Sequence, residues 1–307
     1  MENKLPDNCE LYFYHKDIFN DEDTVKVFVE YDYEIPMHQQ EFYEINVVTK
    51  GNGIHFIGDN KINVKVGDVF IVPPNVSQGY IGGKGFDVFH ITMSDNFIRK
   101  YMTDLEQLPN YFTLFAAEPI MRASTREPLY LSLNEEQYKE MKVIIDYLLK
   151  FANNKHDSVS DLSRISLTIY FISTLCKIYS ENQDTNDLIT SSEDTHFMNS
   201  LSYIHANYNK KITIENLCEI AFLSRSTYIR KFKTICKMPP ALYIMSLRLE
   251  AAKRMLTNTS YSISEIAYKT GFVDASHFTR TFEDEYNLTP TSYRKQNKKP
   301  LGNHQTT

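Results

Sequence analysis

The C-terminal third of this chain carries one pattern twice, about fifty residues apart, and few folds accommodate such a repeat. The first copy runs Leu217, Leu223, Tyr228, Phe232, Pro240, Tyr243, and the second Ile266, Phe272, Phe278, Phe282, Pro290, Tyr293. From Tyr228 or Phe278 onward the spacing is identical: four residues to a Phe, eight more to a Pro, three more to a Tyr. Each copy reads as a short helix, a tight turn and a second helix, with Arg230 or Arg280 two residues before the Phe. Helix-turn-helix units of this kind place their second helix in the major groove of DNA.

Cap residues mark the helix ends. In the first copy Thr213 can cap a helix from about 214 to 222, and Ser224 can cap the next one. In the second, Ser262 and Glu265 have the spacing of a capping box, Gly271 stands at the turn and Asp274 can cap the reading helix. Tyr228, Phe232 and Ile235, and likewise Phe278 and Phe282, share one helical face. The opposite faces carry Ser226, Ile229, Arg230 and Lys233 in one copy and Ala275, Ser276, Thr279, Arg280 and Glu283 in the other. Arg matches the O6/N7 edge of guanine, Ser and Thr reach bases or phosphates, and Ala, Ile or a Thr methyl can touch the thymine methyl. Lys233, Lys237, Lys253, Arg254 and Lys269 are placed to meet phosphates.

Charge divides the chain the same way. The whole carries a net −6, yet residues 196–299 hold 16 Lys and Arg against 8 Asp and Glu. The acidic excess therefore lies N-terminal to the repeat, as expected where one part meets phosphate and another does not. Cys9, Cys176, Cys218 and Cys236 show no paired spacing, so neither a zinc site nor a disulfide framework is predicted. No apolar run has the length of a signal peptide or a membrane span, which predicts a cytoplasmic protein without a membrane partner.

Residues from about 24 to 93 read as short β-branched and aromatic strands: VKVFVEYDY, FYEINVVT, GIHFIGD, KINVKV, DVFIVP and FDVFHITM, an antiparallel barrel or sandwich. From Asn134 the period becomes helical, through Tyr138, Met141, Ile144, Ile145, Leu148 and Leu149. After NNKHDS it resumes from Leu162 to Tyr179. These two amphipathic helices either pack on the barrel or form a dimer interface. Residues 181–195 are almost devoid of apolar side chains and read as a linker.

The stretch ISEIAYKTGFVDASHFTRTFEDEYNLTPTSYRK, with LRLEAAKRML before it and LSRSTYIRKFK in the first copy, resembles the C-terminal domain of AraC/XylS-type transcription regulators over residues 196–295. The resemblance implies two helix-turn-helix units joined by a rigid helix at about 241–256. It also implies Ser226, Ile229, Arg230, Ala275, Ser276, Thr279 and Arg280 as base-reading positions. Ile229 stands where members often carry a small or polar residue. The segment His38-Gln-Gln40-Glu-Phe-Tyr-Glu44 has the spacing of the first cupin motif, and Gly67 to Gln78 that of the second. This part resembles the effector-sensing cupin domain commonly fused to such DNA-binding domains. Gln40 and Gln78 occupy positions that histidines hold in metal cupins, and amides are poor ligands for first-row metals. No metal, cofactor or catalytic residue is therefore predicted.

Alternation sends His38, Gln40 and Glu44 toward one side, the barrel lumen, where with Gln78 they form the predicted effector site. In the competing reading Glu44 and His38 satisfy each other or backbone groups in a filled core. Tyr31, Tyr33, His55 and Tyr80 are secondary lumen candidates. The expected fold is multi-domain: an all-β cupin-like barrel (1–133), a helical dimerisation segment (134–180), the linker (181–195), an all-α tandem helix-turn-helix domain (196–299) and a disordered tail (300–307). The expected function is a sequence-specific regulator that binds double-stranded DNA under control of a small-molecule effector. A second copy of the chain and RNA polymerase are further expected partners. Two rivals stay open: a cupin-fold metal enzyme with a nucleic-acid-binding appendage, and a regulator whose N-terminal half only dimerises.

Overall fold

The computed structural model describes residues 11–19, 24–58, 60–124, 130–152, 158–184 and 192–297. Cys9 and the expected tail at 300–307 lie outside them. The chain divides into two compact units, residues 1–202 and 203–307.

The first unit is built on two five-stranded sheets. One has the order β1 (Leu11–Phe13), β3 (Ile35–Gln40), β8 (Gln78–Ile81), β5 (Asn52–Ile57), β6 (Asn60–Lys65). The other runs β10 (Leu131–Ser132), β7 (Asp68–Val72), β4 (Tyr43–Lys50), β9 (Asp87–Met93), β2 (Val25–Glu30). All pairings are antiparallel except β1 on β3. Ile57, Ile62, Val64 and Tyr80 of the first sheet and Val48, Phe70 and Val88 of the second form one buried cluster, so the sheets close on each other face to face. Every residue of β7 and β9 is buried, because the outer face of this second sheet is covered too. Helices α4 (Glu135–Ala152) and α5 (Ser158–Asp184) pack on each other and on β2, with the ring of Phe171 facing that of Phe89. The predicted strands are present. Those at β1, β3, β8 and β10 were not predicted, nor were the short α1 (His15–Ile18), α2 (Asp95–Leu105) and α3 (Glu118–Ser124). A π-helical turn, Thr113–Ala117, leads into α3.

The expected linker is shorter than its composition indicates. Helix α5 continues to Asp184 and α6 begins at Ser192. Residues 185–191 lie outside the described part. Phe197, Met198, Leu201 and Ile204 of α6 are fully buried, and these apolar anchors just after the polar run order the helix. The division between the units falls inside α6, at Ser202/Tyr203, and not at the expected 195/196.

The second unit is all helical and follows the repeat: α7 (Ile214–Ala221), α8 (Arg225–Cys236), α9 (Pro240–Asn258), α10 (Ile263–Lys269), α11 (Ala275–Tyr286) and α12 (Pro290–Asn297). The predicted caps form. Thr213 accepts from the backbone N–H of Asn216, Ser224 from Thr227, Asp274 from His277, and Ser262 with Glu265 completes the capping box. Hydrogen bonds from Ser262 hold the exposed Glu265 carboxyl below its ordinary pKa. Two arginines tie helix ends together. Arg248 donates to the carbonyls of Tyr208 and Lys210, and Arg294 to those of Leu256 and Tyr261. Each guanidinium thus ties the end of a helix to the loop that follows it.

Candidate functional site

In the first unit a polar network spans the space between the sheets. Glu44 and Asn46 on β4 point inward from one sheet, and Gln40 on β3 and Gln78 and Tyr80 on β8 from the other. Oε2 of Glu44 accepts from Gln78 Nε2 at 2.9 Å, Gln40 Nε2 at 3.2 Å and Asn46 Nδ2 at 3.3 Å. Its Oε1 lies 3.0 Å from Nδ1 of His90 on β9, whose N–H donates to the carboxylate. Burial alone would raise the Glu44 pKa, but the hydrogen bond and charge of His90, with His38 and Gln78, hold it below the ordinary carboxylate range. His55 on β5 extends the network to Gln78 Oε1 at 3.1 Å and stacks on Tyr80 at 4.2 Å, and its burial pushes its pKa well down. Burial of Tyr33 and Tyr80 raises both phenols.

A cavity of about 140 Å³ opens beside this network. Its polar wall is His38, Gln40, Glu44, His90 and Thr92, and its apolar wall includes Phe13, Phe28 and Tyr33. No Lys or Arg lines it among the described residues. The ring of Phe28 stacks on His90 at 4.9 Å and Tyr33 meets it edge-on at 5.1 Å, while the buried Nε2 of His90 and Oδ1 of Asn46 have no hydrogen-bond partner. Such a cleft offers acceptors and flat apolar faces, with the carboxylates of Glu44 and of Glu30, which also lines it, and no Lys or Arg among the described residues. Among the described residues no group of three or more His, Cys, Asp or Glu could hold a metal ion.

The structure brings Gln40, Glu44 and Gln78 into direct contact, with His38 on the same wall. It does not pair His38 with Glu44. His38 Nδ1 donates to the carbonyl of Pro36 at 3.1 Å, its burial lowers its pKa, and the partner of Glu44 is His90. Tyr33 lines the cavity, His55 and Tyr80 lie in the network behind it, but Tyr31 is exposed at the end of β2 and belongs to neither. His90, Asn46 and Thr92 were not singled out in the sequence. Pairing brings them together, since Asn46 lies opposite His90 and Glu44 opposite Thr92 across β4 and β9. The signal for His90 was an imidazole in the midst of the β-branched and aromatic run VFHI.

In the second unit, α8 and α11 are twelve residues each and start one residue after their caps, Ser224 and Asp274. Tyr228, Phe232, Phe278 and Phe282 are 0% exposed, which fixes the rotation of each helix. The opposite faces leave Ser226, Arg230, Lys233, Ser276 and Arg280 exposed. Ile229 and Thr279 are half-buried, and Ala275 packs partly against the cluster of Phe278 and Phe282. At the turns, the first copy carries Phe222 in the left-handed region (φ 52°) and the second Gly271 (φ 84°).

Comparison with known proteins covers both units. Residues 29–167 match the AraC-like ligand binding domain, and residues 217–296 match a helix-turn-helix domain. The chain is 24% identical over 267 residues to the uncharacterized HTH-type transcriptional regulator YdeC of Bacillus subtilis, covering 86% of this chain and 87% of that one. It is 25% identical to the HTH-type transcriptional activator RhaR of Mannheimia succiniciproducens (85% and 87%). It is 28% identical to the raffinose operon transcriptional regulatory protein RafR of Pediococcus pentosaceus (82% and 84%). With a ligand-binding unit of this kind, a helix-turn-helix unit and full-length relatives that are regulators, the chain belongs to the AraC family of transcription regulators.

Proposed function

We propose that α8 and α11 read two successive major-groove segments of double-stranded DNA, and that a small molecule bound beside Glu44 controls where they do so. The observation that carries the DNA reading is the shared register of the two helices. In both, the second and sixth residues after the cap are an exposed Ser and Arg (Ser226 and Arg230, Ser276 and Arg280), opposite a buried aromatic face. Ser226, Ile229, Arg230, Ala275, Ser276, Thr279 and Arg280 are the base-facing set, and Lys233 meets phosphate. Arg230→Ala and Arg280→Ala are each expected to cost about 1 to 3 kcal/mol on a selected site and to relax preference at one position. Competition binding between selected and scrambled duplexes measures this; unchanged discrimination in the double variant sinks the assignment.

The ligand reading rests on the cavity. His38, Gln40, Glu44 and His90 provide hydrogen-bonding partners beside aromatic faces, with Gln78 behind them holding Glu44, which suits a polar molecule without negative charge. RafR is by its name a raffinose operon regulator, which favours a sugar-like effector over an organic acid here. No catalytic chemistry is assigned, and the cytoplasm is the fitting compartment: no described helix is long and apolar enough to cross a membrane. Linkage then follows, since a ligand that favours one sensor conformation shifts DNA occupancy.

A second copy of the chain is the expected partner at α4 and α5, and RNA polymerase a further one at the promoter. Val143 and Tyr147 on α4 and Val159, Leu162 and Tyr170 on α5 are exposed apolar side chains, which supports self-association there. Leu162→Glu is expected to shift the sedimenting species from dimer to monomer. A wild-type chain that sediments as a monomer at micromolar concentration removes this reading.

A further inference from the structure

The two reading helices match in length, cap and core, yet differ sharply in charge. Between its ends α8 carries Arg225, Arg230, Lys231 and Lys233 and no acidic residue, whereas α11 carries only Arg280 against Glu283, Asp284 and Glu285. The inversion is sharpest at one equivalent position. Lys233 and Glu283 are each the ninth residue after the cap, three beyond the matched arginines, and both are exposed. At helical spacing the second, fifth, sixth and ninth residues after the cap share a face. Lys233 and Glu283 thus project from the same place on the same surface. The helix is intact through Glu283, whose carbonyl accepts from the N–H of Asn287 at 2.8 Å.

We propose that Glu283 is a specificity-determining residue: a carboxylate on the DNA face of α11 that accepts from a cytosine amino group and repels phosphate. The inference rests on the reading that these faces meet DNA. A carboxylate cannot replace Lys233 as a phosphate contact, so at the major groove its favourable partner is a base donor, the N4 amino group of cytosine. Asp284 and Glu285 add repulsion that only a correctly paired sequence offsets. Labour is then divided between the copies. α8 adds phosphate affinity on any sequence to the bases it reads, while α11 binds weakly except where its sequence requirement is met.

Titration of a random-sequence duplex by the full chain, across a salt series, tests this with Glu283→Lys and Lys233→Glu. Glu283→Lys is expected to tighten binding by about threefold to tenfold and to steepen the dependence of log K on log salt by about one. Lys233→Glu is expected to weaken binding and flatten that slope. Selection from a random duplex pool should return one cytosine position with the wild-type chain that Glu283→Gln no longer requires, the remaining positions being unchanged. Wild-type affinity, slope and selected sequence for the Glu283 variants, with Lys233→Glu impaired, overturns the proposal. If Lys233→Glu also leaves affinity and slope unchanged, the assignment of these faces to DNA falls, and the proposal with it.

Discussion

Replacing Gly271 by Ala is expected to remove most of the stability of the second helix-turn-helix unit. Gly271 ends α10 at φ 84°, in the left-handed region, and a Cβ there would lie 2.6 Å from the carbonyl oxygen of Asn209. The strained backbone alone costs a non-glycine residue about 1 to 2 kcal/mol. The contact is with backbone, which cannot swing aside as a side chain can, so the loop after α6 or the turn must move. A total of about 3 kcal/mol or more follows, enough to lower the transition of a unit this size by roughly 10 °C or more. Calorimetry of the full chain measures it, with the two units treated as separate transitions. The matched position in the first copy gives the opposite sign. Phe222 is left-handed and 76% exposed, so Phe222→Gly relieves backbone strain at the expense of a small buried area. A gain of about 0.5 to 1 kcal/mol is expected, because the greater freedom of Gly when unfolded offsets part of the relief. Equal and small effects at both positions would refute the account of the turns.

The second unit was legible because its determinants are local. Caps, turn and aromatic spacing all fall within a single copy of the repeat, so Thr213, Ser224, Ser262 and Asp274 cap the helices that their positions implied. The first unit depends on pairing between distant segments, which spacing does not record. Strand β3, sequence IPMHQQ, lacks the β-branched pattern and is held by β8 and β1, whose paired residues lie 40 to 45 positions downstream and 27 upstream. His38, Gln40, Glu44 and Gln78 were named together, but the imidazole that pairs with Glu44 was not, because His90 reaches Glu44 only through the register of β9 on β4. Arg122 left no trace in the sequence at all. It is fully buried in α3, reaches the carbonyl of Ile71, and lies beside Glu118 and the ring of Phe70. A charged residue mid-segment reads as surface, and only the packing of α3 shows otherwise.

Glu44→Ala is expected to be the most damaging change in the sensor, at about 3 to 5 kcal/mol. Its carboxylate is the common acceptor for Gln40, Gln78, Asn46 and His90, so removal takes the acceptor from the buried Gln40 Nε2 and His90 Nδ1 and leaves Gln78 and Asn46 with only their other bonds. Glu44→Gln keeps the volume and isolates the charge. Because the folded pKa of Glu44 is depressed, its contribution is complete above the ordinary carboxylate pKa and is lost as pH falls through the lower, folded value. Glu118 acts in the opposite direction. Burial, opposed in part by Arg122, raises it to about 7, so its penalty is present above that value and disappears as pH falls toward the ordinary carboxylate range. Urea unfolding across this range should therefore show the wild-type sensor losing more stability on the acid side than Glu44→Gln, in which the gain from Glu118 and the losses from the buried His38 and His55 remain. Parallel curves would remove Glu44 as the titrating hub. The same pair of proteins tests the cavity, since a neutral sugar that binds beside Glu44 raises the unfolding temperature of the wild type and not of Glu44→Gln. An organic acid that stabilises both equally would place its site elsewhere, because the cavity presents a carboxylate and no Lys or Arg among the described residues.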